Sequence, residues 1–197
     1  MFDGMFRKGV DGVTAPIGRG LAAIGLSADM LTAGGLVMSG ASAVAIGSGR
    51  LGLGTAFLVV TALADLFDGP VAVARGTSSS RGAFFDSTAD RVTDGLLLGG
   101  IAWYLASEHG GHIAVLPMAV LGVSAVISYE RAKAELLGFV AKGGLMERAE
   151  RTVVLAVAVA FEVLLIPLLW VLLVLSVVTA VTRFAKVWRQ ASASPSK

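Results

Sequence analysis

Four aspartates, Asp65, Asp68, Asp86 and Asp90, stand in a segment reading DLFDGPVAVARGTSSSRGAFFDSTAD at 65–90. All lie in or beside long apolar runs. A charged side chain at membrane depth costs several kcal/mol on most scales (about 3 kcal/mol by insertion measurements) and marks function by default. Asp65 and Asp68 are three residues apart, and Asp86 and Asp90 four, so each pair shares one helix face. Two neighbouring helices joined by a short loop can aim all four at one point. Converging carboxylates repel one another unless they are protonated or neutralised by cations. Hard oxygen donors suit Mg²⁺, Mn²⁺ or Ca²⁺ and argue against zinc. The chain has no cysteine, so no thiolate site or disulfide framework is possible. A single intramembrane aspartate could equally pair with Arg75, Arg81 or Arg91, or cap a helix; two matched pairs favour a metal centre. Asp94, one turn beyond Asp90, reads as a hydrogen-bonding neighbour rather than a ligand.

Other groups nearby have chemical potential. Gly69 permits close approach of a ligand, and Pro70 frees a backbone carbonyl by removing a helix hydrogen bond. The run Gly76-Thr77-Ser78-Ser79-Ser80 is either a phosphate-binding loop or an ordinary polar turn; spacing alone leaves both open. His109 and His112 lie in the loop opposite the aspartates and do not form a metal pair with them. Glu130 has no evident role.

These residues must be held by membrane-spanning helices. Of 197 residues 55% are hydrophobic, the mean hydropathy is +0.80, and single runs such as Val153–Leu175 approach the ~20 residues that a bilayer core requires. The runs predict an all-α integral membrane protein of six spans: about 30–46 after an N-cap at Ser27, 51–74, 82–105, 113–137, 151–165 and 168–187, with Pro167 separating the last two. Residues 1–26 form a juxtamembrane segment expected to be an amphipathic surface helix and not a cleaved signal. Residues 27–190 form the six-helix domain, and 191–197 a disordered tail. Glycines within the spans, Gly34, Gly35, Gly40, Gly95, Gly99, Gly100 and Gly122, are expected to serve close helix packing.

The net charge is only +2, but the cations are unevenly placed. Arg7, Lys8 and Arg19 lie at the N-terminal end, Arg75 and Arg81 after span two, and Arg131, Lys133, Lys142, Arg148 and Arg151 in the loop after span four and its flanks. Arg183, Lys186, Arg189 and Lys197 lie at the C-terminal end, and the three alternate loops hold only Arg50. Positive charge prefers the cytoplasmic side, which puts both termini there with the active site.

The aspartate segment resembles the signature of the CDP-alcohol phosphatidyltransferase family, D-x2-D-G-x2-A-R-x8-G-x3-D-x3-D. Asp65, Asp68, Gly69, Ala72, Gly82, Asp86 and Asp90 match, seven of its eight fixed positions, while Val73 stands where the family has arginine. Arg75 is two residues on and would face about 200° away on a helix. The stretches APIGRGLAAIGLSADMLT at 15–32, VISYERAKAE at 126–135 and GGLMERAERT at 143–152 look like those of actinobacterial phosphatidylinositol phosphate synthases, so the resemblance covers nearly the whole chain.

The resemblance implies transfer of the phosphatidyl group of CDP-diacylglycerol to an alcohol with release of CMP, by a homodimer in the bacterial inner membrane. It implies Mg²⁺ or Mn²⁺, two ions held by Asp65, Asp68, Asp86 and Asp90, with Asp90 also the general base. Asp29, Thr32, Gly69, Ala72, Ser79 and Gly82 would bind the nucleotide end of the donor. Ser128, Arg131, Lys133, Arg151 and Arg183 would bind an acceptor phosphate, which makes inositol 1-phosphate the expected acceptor. Glycerol 3-phosphate could use the same cations. A non-catalytic CDP-lipid-binding relative is a third reading, resting on Val73 alone. A transporter using the same carboxylates for ions would not require Gly69 and Gly82 at this spacing, and no nucleic-acid partner is expected.

Overall fold

Ser27 starts the first long helix as its residue type predicts. Its backbone is extended, with φ −106° and ψ 159°, and its Oγ accepts the Met30 N–H at 3.2 Å, satisfying one of the open donors of the first turn. The computed structural model describes residues 14–141 and 143–193. A short helix, α1, covers residues 14–23. It is followed by α2 (Ala28–Gly47), α3 (Leu51–Arg75), α4 (Ser80–His109), a 3₁₀ turn (Gly111–Ala114), α5 (Val115–Leu136), α6 (Arg148–Ala160) and α7 (Glu162–Ala193). All regular structure among the described residues is helical. Residues 1–13 of the expected juxtamembrane segment, Lys142 and residues 194–197 of the expected tail lie outside the described residues; residues 191–193 continue α7.

Among the described residues four helical segments are long and apolar enough to cross a membrane: Ala28–Gly47, Leu51–Arg75, Gly111–Leu136 and Glu162–Ala193. Their large apolar residues are widely exposed, Val37, Leu63, Val126, Val163 and Val174 among them. A bilayer covers such surface at no cost, whereas water would not. The protein is therefore a multi-pass membrane protein. Of the other two expected spans, α4 has 30 residues but carries Asp86, Asp90, Arg91 and Asp94. Helix α6 has 13 residues, which rise only about 20 Å.

The break between the last two helices is not at Pro167. It falls at Phe161, whose backbone is extended, and Pro167 lies inside α7. Pro167 is the sixth residue of that helix, so the carbonyl its ring opposes, that of Val163, belongs to the first turn, where the ladder has barely begun.

Contacts divide the chain into two units, to Gly100 and from Ile101, with the boundary inside α4. In the first, α2 and α3 form a tight helical pair. The Ser42 hydroxyl donates to the Gly54 carbonyl at 2.8 Å and the Thr61 hydroxyl to the Gly35 carbonyl at 3.2 Å. A Cβ added to Gly35 would meet that of Ala64 at 3.2 Å, and one added to Gly100 would come within 2.7 Å of the Ala43 Cα. Small residues thus bring backbones together, as expected of membrane helices. Among these glycines the expectation holds for Gly35 and Gly100: Gly34, Gly40, Gly95, Gly99 and Gly122 have nothing among the described residues within 4 Å of an added Cβ. In the second unit α5 and α6 both pack on α7 around Leu116, Val120, Ile127, Leu165, Leu169 and Leu172, and the Tyr104 hydroxyl donates to Glu162.

Candidate active site

Helix α3 ends at Gly76, which takes the left-handed conformation with φ +64°, and the polar run 77–79 leads into α4. Ser79 Oγ accepts the Gly82 N–H at 3.1 Å, holding the first turn of α4. This short return brings Asp86 beside Asp65 and Asp68. One carboxylate oxygen each from Asp65, Asp68 and Asp86 lies within 4.8 Å of the others, all three half-buried or nearly so. A divalent ion with metal–oxygen distances of about 2.0–2.6 Å spans ligand separations of this size, and an all-carboxylate set matches hard cations. The residues present therefore fit Mg²⁺ or Mn²⁺. Asp90 is on the same helix as Asp86 but outside this three-residue group; its carboxylate lies 3.5 Å from the Arg91 guanidinium, which is 3.9 Å from Asp94. Asp94, likewise, is in the arginine's reach rather than in the group.

Asp68 is the most enclosed of the four, 9% exposed, and its Oδ2 accepts the Thr32 hydroxyl at 3.0 Å. Thr32 thus fixes the carboxylate from α2, 36 residues away in sequence. Beside these groups opens a cavity of about 820 Å³. Asp29, Thr32, Gly69, Ala72, Ser79 and Gly82, all expected at the nucleotide end, line it together with Asp68 and Asp86. Gly69 meets nothing within 4 Å of an added Cβ, so its lack of a side chain keeps that space open, while Gly82 lies near Ser79 Oγ and Asp29. Thr77 and Ser78 also line the cavity, so the polar run forms part of its wall. A cavity of this size suits a small-molecule head group.

Three arginines at this cavity were not expected to be part of it. Arg81 forms an ion pair with Asp29. Arg75 donates to the carbonyls of Gly25 at 2.9 Å and Leu26 at 2.8 Å, tying the end of α3 to the α1–α2 turn. Arg19 comes from α1, which lies against α3 where Gly18 meets Pro70: an added Cβ would stand 2.6 Å from the Pro70 Cβ. Basic residues near a membrane surface have no spacing of their own, so only the composition of 15–32 carried a hint of Arg19.

The expected acceptor residues fall in the second unit. Arg151 and Arg183 are each 5% exposed. Arg183 donates to the carbonyls of Ile127 at 3.0 Å and Gly143 at 3.2 Å and lies 3.6 Å from Glu147, while Arg151 donates to the Met146 carbonyl at 3.3 Å. The two arginines therefore converge on the loop 143–147. Thr179 supports the same loop by accepting the Met146 N–H at 3.2 Å. Arg131 instead pairs with Glu135 along its own helix at 3.0 Å; Lys133 is exposed, and the Ser128 hydroxyl donates to the Ser124 carbonyl at 2.9 Å. Glu130 has one buried carboxylate oxygen without a hydrogen-bond partner among the described residues.

Residues 26–188 match the family model for CDP-alcohol phosphatidyltransferases. The phosphatidylinositol phosphate synthase of Mycobacterium tuberculosis is 35% identical over 186 residues, covering 89% of this chain and 86% of that protein. The crystal structure of the Mycobacterium tuberculosis enzyme with CDP-DAG bound superimposes with a TM-score of 0.80 at 34% identity, over 93% of this chain and 95% of that one. Its complex with manganese and citrate gives 0.81 at 33% identity, over 92% and 90%. With seven motif positions in place, three of its carboxylates grouped for a metal, and a match over most of its length, the chain belongs to the CDP-alcohol phosphatidyltransferase family and is an enzyme of that family.

Proposed function

We propose that this enzyme transfers the phosphatidyl group of CDP-diacylglycerol to inositol 1-phosphate, giving phosphatidylinositol phosphate and CMP. The observation that carries the reading is the three-carboxylate group, two of whose members, Asp68 and Asp86, line a head-group-sized cavity. The names of the relatives support the donor and the acceptor. Asp65, Asp68, Asp86 and Asp90 would hold Mg²⁺ or Mn²⁺ as a pair of ions, whose four positive charges four carboxylates balance. A metal held there would offset the charge of the donor diphosphate and would stabilise the departing CMP. Thr32 keeps Asp68 in its ligating orientation, and Asp29, Ala72, Ser79 and the open spaces at Gly69 and Gly82 receive the nucleotide end. Asp90 accepts the proton of the acceptor hydroxyl as that oxygen bonds to the diacylglycerol-linked phosphorus and the bond to CMP breaks. Ser128, Arg131, Lys133, Arg151 and Arg183 take the acceptor phosphate, where arginine offers paired contacts.

Six spans are proposed, with α4 and α6 completing the four apolar ones, and residues 27–190 as the catalytic domain. Helix α1, the described part of the segment 1–26, is proposed to lie on the membrane surface as an amphipathic helix; both termini and the active site are proposed to be cytoplasmic, and the enzyme a homodimer. Cation placement along the chain supports the orientation. Purified enzyme with CDP-diacylglycerol and Mg²⁺ or Mn²⁺ is offered inositol 1-phosphate, glycerol 3-phosphate and inositol in turn. CMP release with inositol 1-phosphate is expected. Release with glycerol 3-phosphate alone would replace the acceptor, and release with none would refute the transferase reading for these substrates.

A further inference from the structure

We infer that Arg19, on α1, binds the donor diphosphate in place of the arginine that Val73 has displaced from the motif. The inference rests on the reading of the cavity as the CDP-lipid site. A diphosphate brings about two negative charges to a cavity already lined by Asp29, Asp68 and Asp86, so cations must face it besides any metal. Three arginines line the same cavity. Arg75 is committed to the Gly25 and Leu26 carbonyls. Arg81 is committed to Asp29. Arg19 makes no hydrogen bond or ion pair among the described residues, and it is an exposed residue that lines the cavity.

Its placement is built into the packing. Gly18 brings the α1 backbone onto Pro70, one helical turn before Val73, so the neighbouring residue Arg19 is delivered to the stretch of α3 where the motif arginine would stand. Val73 itself also lines the cavity and is 74% exposed, leaving open the space an arginine there would fill. An arginine reaching in from α1 supplies the same forked donor set from a different helix.

The test measures CDP-diacylglycerol affinity directly, by calorimetry in detergent micelles with Mg²⁺ and no acceptor, and the Michaelis constant for the same donor in the CMP-release assay. Arg19→Ala is expected to weaken donor binding about tenfold, the usual scale for losing one charged hydrogen-bonded contact, with kcat changed much less. Arg19→Lys should lose less than the alanine variant. The double variant Arg19→Ala/Val73→Arg should regain most of the affinity. Unchanged donor affinity in Arg19→Ala overturns the inference, and so does a loss that Val73→Arg fails to offset, because Arg19 would then serve some other purpose, such as anchoring α1 to anionic lipid. Wild-type enzyme that binds the donor but releases no CMP with any acceptor would sink the proposed reaction while leaving the Arg19 comparison intact.

Discussion

Asp68 and Asp90 belong to one motif yet stand in different surroundings, and the difference predicts different failures. Asp68 is buried, grouped with Asp65 and Asp86, and oriented by the Thr32 hydroxyl. Asp68→Asn removes a charge from the metal-binding group, so turnover should fall by at least about 100-fold, with metal binding weakened in the same variant by isothermal titration with Mn²⁺. Thr32→Val keeps the shape and removes the orienting hydroxyl. It should raise the Mn²⁺ concentration needed for half-maximal activity by about tenfold, the lower end of the effect of losing a supporting hydrogen bond; an unchanged requirement would mean that Thr32 does not position Asp68. Asp90→Asn should instead cut kcat by roughly 100- to 10,000-fold, the range for a lost general base, while leaving CDP-diacylglycerol binding measurable. Near-normal rates in that variant would remove Asp90 from its role as base. At this scale the sequence was informative because the chemistry is local: aspartates at spacings of three and four declare a shared face before any fold is known. What it did not reveal was which groups surround them. Arg75 meets carbonyls about 50 residues away, and Thr32 meets Asp68 across 36. No periodicity within one helix encodes a partner on another.

Among the helices, the apolar runs located the elements well and their ends less evenly. Ser27 and Gly76 acted as the start and stop signals their residue types suggest, because a side-chain acceptor and a left-handed glycine act on their own turn. Pro167 misled because a proline ends a helix only where an established hydrogen-bond ladder must be broken, and here the helix starts five residues before it. The glycines misled in another way: their abundance said that backbones come close, but not which ones. Gly99 and Gly100 are adjacent, so they make a matched pair of tests. A Cβ at Gly100 meets the Ala43 backbone at 2.6–3.0 Å, and a Cβ at Gly99 meets nothing within 4 Å. Backbone cannot rotate away as a side chain can, so Gly100→Ala should force α4 off α2 and destabilise by about 1–3 kcal/mol, the range for overpacking. Gly99→Ala should leave the melting temperature in detergent unchanged or slightly raised, because alanine is the better helix former. Equal effects of the two substitutions would contradict the contact between α4 and α2.

For the whole molecule, the open question is how many times the chain crosses the bilayer and in which direction. Among the described residues four segments qualify by length and apolarity alone, and α4 does not, because its aspartates and Arg91 lower its hydropathy. A functional helix therefore hides from a hydropathy criterion for the very reason that it is functional. The absence of cysteine makes the question accessible, since any single introduced cysteine is the only thiol in the chain. Ser48, Ser78 and Ser107 are exposed and lie before α3, before α4 and near the end of α4. With six spans and cytoplasmic termini, Ser48→Cys and Ser107→Cys face outward, and Ser78→Cys faces the cytoplasm. A membrane-impermeant maleimide applied to intact spheroplasts should label the first two and reach the third only after lysis. If Ser107→Cys behaves like Ser78→Cys, α4 does not cross and the count falls below six. If Ser48→Cys and Ser78→Cys exchange behaviour, the orientation is inverted, and the carboxylates would then open to the side of the membrane where a nucleotide-linked lipid made in the cytoplasm could not deliver its head group.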